Sequence, residues 1–143
     1  MYTTGGTNLQ RSRRIVRRYH EHLNRQVKVD CAVVFGSVAR GENNRYSDID
    51  LLVVAADLPA DFWRRLDLLW EEKPPELDVL GFTPAEVKAR ISRPLLLDAF
   101  GEGITVQGRA APFRRLARGY LRKNNLRKVW FGYLPATLVE EKP

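Results

Sequence analysis

The sequence predicts an α/β domain. Short apolar runs of strand length are closed by glycine or proline, longer stretches between them carry apolar residues at helical spacing, and two of the runs begin with aspartate alternating with aliphatic residues. At 143 residues the chain suits one domain, long enough to bury a single core. The expected organisation is a single domain over residues 1–143, with a basic helix at its N-terminal end and a basic, aromatic extension at its C-terminal end.

Met1 to Asn8 read as a loose lead-in. From about Leu9 to Val27, Ile15, Val16, Tyr19, Leu23 and Val27 recur near helical spacing with arginines on the other faces, which predicts a long amphipathic helix laid on a sheet. Cys31 to Phe35 is short, apolar and closed by Gly36, the pattern of a central strand ending in a tight turn. Val38 to Ser47 reads as a short helical turn and loop, and Ser47 to Ala55 as a second strand. A helix opens at Pro59-Ala60, capped near Asp57 or Asp61, with Phe62, Leu66, Leu69 and Trp70 on one side; Pro74-Pro75 ends the connection.

Glu76 to Gly81 supplies a third strand. Thr83, Pro84 and Glu86 then form a capping-box signature for a helix to about Ile91. Pro94 to Phe100 reads as a short helix, and Ile104 to Gln107, between glycines, as a fourth strand at the sheet edge. Phe113, Leu116, Ala117, Tyr120 and Leu121 share a helical face that Asn124-Asn125 interrupts. Trp130, Phe131, Tyr133 and Leu134 follow as an aromatic tail, suited to covering the core or a partner.

Composition excludes several classes. No stretch approaches the 18 to 20 uncharged apolar residues of a membrane span, and the N-terminus shows no hydrophobic signal segment, so no membrane association and a cytoplasmic location are the default expectations. Cys31 is the one cysteine, which rules out a disulfide framework and a cysteine metal cluster and leaves a packed thiol. The net charge of +7 is unevenly placed: seven Arg or Lys lie between Arg11 and Lys28 against the single acid Glu21, and eight between Arg109 and Lys128 with none. Such ends attract RNA, DNA or other acidic partners, and serve equally as a solvated face.

The chemistry lies in the acidic middle. In Ser47-Asp48-Ile49-Asp50-Leu51 the strand period sends both aspartates to one face, their Cα atoms roughly 6 to 7 Å apart. Like charges heading an apolar strand cost stability unless a cation joins them. A divalent metal carrying nucleotide phosphates answers that need, since magnesium takes oxygen ligands and keeps waters and phosphates in its shell. The bland reading has the two aspartates capping a turn in solvent. Gly36-Ser37, at the end of the preceding apolar run, lets backbone amides approach an anion and adds a hydroxyl donor; alone it is as readily a structural turn. Asp78 is the third candidate, entering its strand by the same polar-then-apolar pattern. Glu76 shares its parity but lies nearer Pro74-Pro75.

Gly36-Ser37, ten intervening residues and Asp48-x-Asp50 together resemble the nucleotidyltransferase superfamily of DNA polymerase beta, and more closely its minimal, antitoxin-like prokaryotic members; the third family carboxylate falls on Asp78. The resemblance is strongest from Val33 to Val54 and extends to Leu80. It implies a mixed sheet flanked by helices and a magnesium ion (Mg2+) bound by Asp48 and Asp50, with Asp78 acting on the acceptor hydroxyl, directly as a base or as ligand to a second metal. It also implies transfer of a nucleoside monophosphate from ATP or another nucleoside triphosphate to a protein or nucleic-acid hydroxyl, with loss of pyrophosphate. Gly36 and Ser37 would hold the terminal phosphates. Arg40 matches the family's frequent arginine, as a phosphate contact or as the structural partner of a loop or site carboxylate. The remaining length has no room for a processive polymerase.

Minimal members of the family are paired with a small helical ribonuclease toxin, and some adenylylate a tyrosine on it. The resemblance therefore implies a toxin partner, beside which a second copy of this chain is an alternative. Two other function classes stay open: a catalytically inactive antitoxin-like interaction module, and a nucleic-acid-binding adaptor working through the basic ends. His20 and His22, two apart on a helix, do not share a face and read as surface or packing residues. Trp63 and Trp70, seven apart, read as core or dimer packing before base stacking. The aromatics from Tyr120 to Tyr133, interleaved with Arg118, Arg122, Lys123, Arg127 and Lys128, suit either stacked bases or a buried partner surface.

Overall fold

A computed structural model of the protein describes residues 4–41 and 48–139, and side chains from residue 10 onward within them. The elements run α1 (Thr4–Leu23), β1 (Cys31–Phe35), α2 (Ser37–Arg40), β2 (Ile49–Val54), α3 (Phe62–Trp70), β3 (Leu77–Phe82), α4 (Pro84–Ala89), α5 (Pro94–Glu102), β4 (Ile104–Gly108), α6 (Ala111–Lys123), β5 (Leu126–Val129), β6 (Gly132–Pro135) and α7 (Ala136–Val139). The main sheet has the order β3-β2-β1-β4, and β5 pairs with β6 in a separate hairpin. β1 is antiparallel to β2 and β4, while β2 and β3 are parallel. The sheet is thus mixed, as the sequence resemblance implies, with β4 at the edge.

Alternation along the strands divides the core into two layers. Ile49, Leu51 and Val53 of β2 and Leu77 and Val79 of β3 pack with Val16, Tyr19 and Leu23 of α1 and Leu69 of α3. Leu52 and Val54 face the other way, with Val33 and Phe35 of β1, toward Val87 of α4, Leu96, Leu97 and Phe100 of α5, and Phe113 and Ala117 of α6. Cys31 belongs to the second layer and is fully buried; burial pushes its thiol up to about 12, with Asp30 adding to the shift, so it stays protonated and inert at neutral pH. Tyr19 donates its phenol proton to the Leu69 carbonyl and ties α1 to α3.

The expected elements are present, with three differences. The first helix starts at Thr4, inside the expected lead-in, and stops at Leu23; Val27 is buried from the segment beyond it. The expected lead-in residues 1–3 and loop residues 42–47 lie outside the described residues. Asp61, one of the two expected caps, accepts a bond from the Arg64 amide, but Trp63 and Trp70 do not enter the core: they are 70% and 50% exposed. At 3.6 residues per turn they share one stripe of α3, opposite that of Arg65, Leu68 and Leu69. Arg65 holds the helix in this rotation, donating to the Pro59 carbonyl at 2.7 Å, the Gly81 carbonyl at 3.1 Å and both oxygens of Glu86 at 2.7 and 3.2 Å. Gly81 permits the close approach, since a Cβ there would meet Leu69 at 2.6 Å.

The third difference lies at the C-terminal end, where the aromatic tail is a hairpin followed by a helical turn. Asn125 takes positive φ between α6 and β5, and Gly132 takes φ 150 as β6 begins. Glu86 closes the expected capping box with Thr83 as well as pairing with Arg65. Among the described residues, no helix is long and apolar enough to cross a membrane.

The Arg65–Glu86 pair makes a testable statement about stability. Hydrogen bonding from Arg65 comes first among the causes holding the Glu86 carboxyl below its ordinary value. A depressed carboxylate stabilises the fold above its unfolded pKa, and that stabilisation is lost as pH falls through the folded value. Arg65→Ala is expected to cost about 2 kcal/mol in urea unfolding at pH 7, by stranding Glu86 and two carbonyls. The cost should shrink in acid, below the Glu86 transition.

Candidate functional site

The three aspartates gather where β1 ends and β2 and β3 begin. Asp50 is paired in register with Phe35 of β1 on one side and with Asp78 of β3 on the other. Parallel neighbours sit about 4.8 Å apart across a ladder, and residues in register share a face, so the Asp50 and Asp78 side chains leave the sheet together. Both have the parity of Leu52 and Phe82, so that face is the one covered further along by α4, α5 and α6. Asp48 lies just before β2 and is exposed, as is Asp78, while Asp50 is half-buried.

The electrostatics show that the three belong to one neighbourhood. Burial raises the Asp50 pKa, the charges of Asp78 and then Asp48 raise it further, and Arg40 opposes them. The Gly36 bend is equally close: a Cβ on Gly36 would stand 2.5 Å from Asp50 Oδ2, and Gly36 has φ 74. Only glycine meets both conditions without strain. Ser37 opens α2 directly after the bend, and Arg40 ends it, its amide bonded to the Gly36 carbonyl at 3.2 Å. The bend, the arginine and the three acids therefore lie at one end of the sheet.

Glu76, the less favoured alternative to Asp78, is engaged elsewhere: it accepts from Arg11 at 3.2 Å, and its carbonyl accepts from the Ile49 amide. His22 faces Glu72 at 3.2 Å. Burial lowers the His20 pKa, against a smaller opposing effect of Glu21. Among the described residues, no three His, Cys, Asp or Glu side chains close into a ready-made metal cage. The donor chemistry still fits magnesium, because the site is all oxygen and faces open solvent. A magnesium ion that shares its shell with phosphates and water needs only one or two carboxylates.

The chain belongs to the nucleotidyltransferase domain family, whose profile matches residues 16–98. That span holds all six candidate residues, Gly36, Ser37, Arg40, Asp48, Asp50 and Asp78. No curated protein sequence matches the chain.

Among solved structures, the fold is similar to that of a proposed nucleotidyltransferase from Sulfolobus solfataricus, at 18% identity over 76% of this chain and 91% of that one, with a TM-score of 0.60. It is also similar to a chain of a toxin–antitoxin complex with AMP-PNP, at 22% identity over 74% and 84%, with a TM-score of 0.52. A third likeness is to a chain from a complex of tri-AMPylated Shewanella oneidensis HEPN toxin with MNT antitoxin, at 19% identity over 80% and 85%, with a TM-score of 0.51. At these identities the likeness establishes the fold.

The crowding of negative charge yields a stability test in metal-free buffer. Asp50→Asn removes a half-buried charge facing two others, and is expected to raise stability by up to about 1 kcal/mol in thermal unfolding. Gly36→Ala, which forces a methyl group toward the same carboxylate at positive φ, is expected to lower it by about 1 to 3 kcal/mol.

Proposed function

We propose that the protein is a magnesium-dependent nucleotidyltransferase that moves AMP from ATP to a hydroxyl group of a protein partner. The observation that carries this reading is the shared rank of Asp50 and Asp78, with Asp48 and the Gly36 bend beside it. In a family of nucleotidyltransferases, that rank is the natural seat of the reaction.

Gly36 and Ser37 bind the terminal phosphates through backbone amides and the Ser37 hydroxyl, and Arg40 adds positive charge at the same end. Asp48 and Asp50 would hold magnesium, with Asp78 completing the acidic set; when bound there, the ion would supply neutralisation of the phosphate charge. Asp78, exposed at the head of β3, takes the proton of the acceptor hydroxyl. The acceptor oxygen forms a bond to the α-phosphorus, the α–β anhydride bond breaks, and pyrophosphate leaves with its electron pair.

The proposed acceptor is a small helical toxin. It is supported by the fold neighbours, which include an antitoxin complexed with an AMPylated toxin. RNA attracted by the basic ends is the second candidate, since Arg13, Arg17 and His20 line a groove of about 320 Å³ beside β4.

The experiment pairs calorimetry with labelling. Asp48→Ala combined with Asp50→Ala is expected to abolish magnesium-dependent ATP binding and leave the circular dichroism spectrum unchanged. Unchanged affinity would overturn the metal role. Labelled ATP and magnesium, incubated with the protein and cell extract, are expected to label a protein that co-purifies with it. Label in RNA would reassign the acceptor, and a tight complex with no label would mark an inactive interaction module.

A further inference from the structure

The sheet edge beside Asp78 is sealed by side chains of α3 and of the turn after it. β3 is an outer strand of the main sheet. The carbonyls of Glu76 and Phe82 accept from Ile49 and Ala55 on the β2 side, so by alternation those of Leu77, Val79 and Gly81 face outward. Each of the three accepts from a side chain: Leu77 from Lys73 Nζ at 2.6 Å, Val79 from Trp70 Nε1 at 3.2 Å and Gly81 from Arg65 at 3.1 Å. Such an edge leaves no row of free carbonyls for an added strand, and a partner arriving there meets side chains instead. Asp78 lies between the Leu77 and Val79 carbonyls, so Lys73 and Trp70 are fastened to the strand on either side of it.

From Trp70 the outward stripe of α3 continues through half-buried Leu66 to Trp63 and Phe62, about 10 Å along the helix. Phe62 is 62% exposed, and its ring meets that of Trp63 edge to face at 5.0 Å. Leu80, 41% exposed, shares the face of Asp78 two residues on. The core does not require this apolar strip: α3 packs through Leu69, and the Arg65–Glu86 pair prevents the rotation that would bury the aromatic rings. Large aromatic side chains held out in this way form a contact surface.

We propose that the strip formed by Phe62, Trp63, Trp70 and Leu80 docks the protein that accepts the nucleotide. This rests on the nucleotidyl-transfer reading of the carboxylates, in which Asp78 meets the acceptor hydroxyl. Continuity with Asp78 identifies the occupant. A chain whose hydroxyl reaches the head of β3 has Trp70 and Leu80 beside it, whereas the Gly36-Ser37 bend that would seat the triphosphate ends β1, on the other side of β2. The border of the strip defines the partner further. Asp61, Asp67, Glu71 and Glu72 are exposed along α3 and at its ends, while of the nearby cations Arg65 is bound to Glu86 and Lys73 to carbonyls, leaving Arg64. A second copy docked two-fold through the same strip would bring those acids against their own counterparts. The partner is therefore a different protein, with apolar side chains at the centre of its contact and Lys or Arg around them.

The test follows transfer of label from the α-phosphate of ATP to protein in cell extract with magnesium. ATP affinity by calorimetry and the mass of the isolated chain by sedimentation equilibrium are measured beside it. Trp70 is left in place because it seals β3. Phe62→Ser with Trp63→Ser is expected to keep the parent's circular dichroism spectrum, ATP affinity and mass. The same variant is expected to label the acceptor protein about ten-fold more slowly in dilute extract, the deficit narrowing as the extract is concentrated. Phe62→Leu with Trp63→Phe is expected to restore most of the rate. Trp130→Ser with Phe131→Ser, which strips the exposed aromatic pair of the β5–β6 tip, is expected to label at the parent's rate. Equal labelling by the α3 serine variant and the parent would overturn the docking surface and leave the carboxylate reading intact. So would a parent of twice the chain's mass that the serine variant halves, which would assign the strip to a second copy, and so would label entering RNA alone. A parent that fails to bind ATP would overturn the carboxylate reading and the docking surface together.

Discussion

Parallel pairing of β2 with β3 is the constraint around which the rest is arranged, because it sets Asp78 beside Asp50, whose charge burial already disfavours. A strand register cannot be relaxed one residue at a time: a slip would take Ile49, Leu51 and Val53 out of the layer they share with α1 and α3 and exchange the two faces of β2. The acids are therefore held together by the packing of the aliphatic residues between them. The surroundings accommodate the repulsion through a residue without a side chain at Gly36 and a cation at Arg40. The fold alone gains nothing from this crowding, whereas a polyvalent cation bearing phosphates would relieve it.

Rigidity around the rank comes from both layers. β1 and β2 are buried on both faces over most of their length, and α1, α3, α5 and α6 close over them. Arg65 fixes the rotation of α3 and joins it to the chain around β3 and to the start of α4. Tyr133 and Lys128 fix the hairpin against α5. Side chains on well-packed elements thus bring the acids and the bend into one region, although they are spread over more than forty positions of sequence.

The main sheet and the acidic rank were legible in the sequence, because each depends on a local signal. Short apolar runs mark the three central strands, β1 closed by Gly36 and β2 and β3 headed by aspartate; the Thr83-Pro84-Glu86 cap marks α4; and the spacing from Gly36-Ser37 to Asp48 and Asp50 marks the site. What was not legible depends on long-range partners. Trp63 and Trp70 have the spacing of a packed stripe, but Arg65 binds Glu86 twenty-one residues away and turns that stripe outward. The hairpin has no such local signal because its strands are four residues long, β5 half charged and β6 bounded by glycine and proline, so no alternation rises above the background. The neighbourhood of Arg40 and the Trp130–Phe131 tip has no sequence signature at all, being set by the docking of the hairpin on α5.

The most direct measurement is anomalous diffraction from crystals grown with manganese, as a stand-in for magnesium, and a non-hydrolysable nucleoside triphosphate. The expected result is a manganese peak within coordination distance of Asp48 and Asp50, with phosphate density running to the Gly36-Ser37 bend. A fully bound triphosphate with no metal at the aspartates, or with its phosphates lodged elsewhere, would contradict the reading of the acidic rank as the seat of transfer.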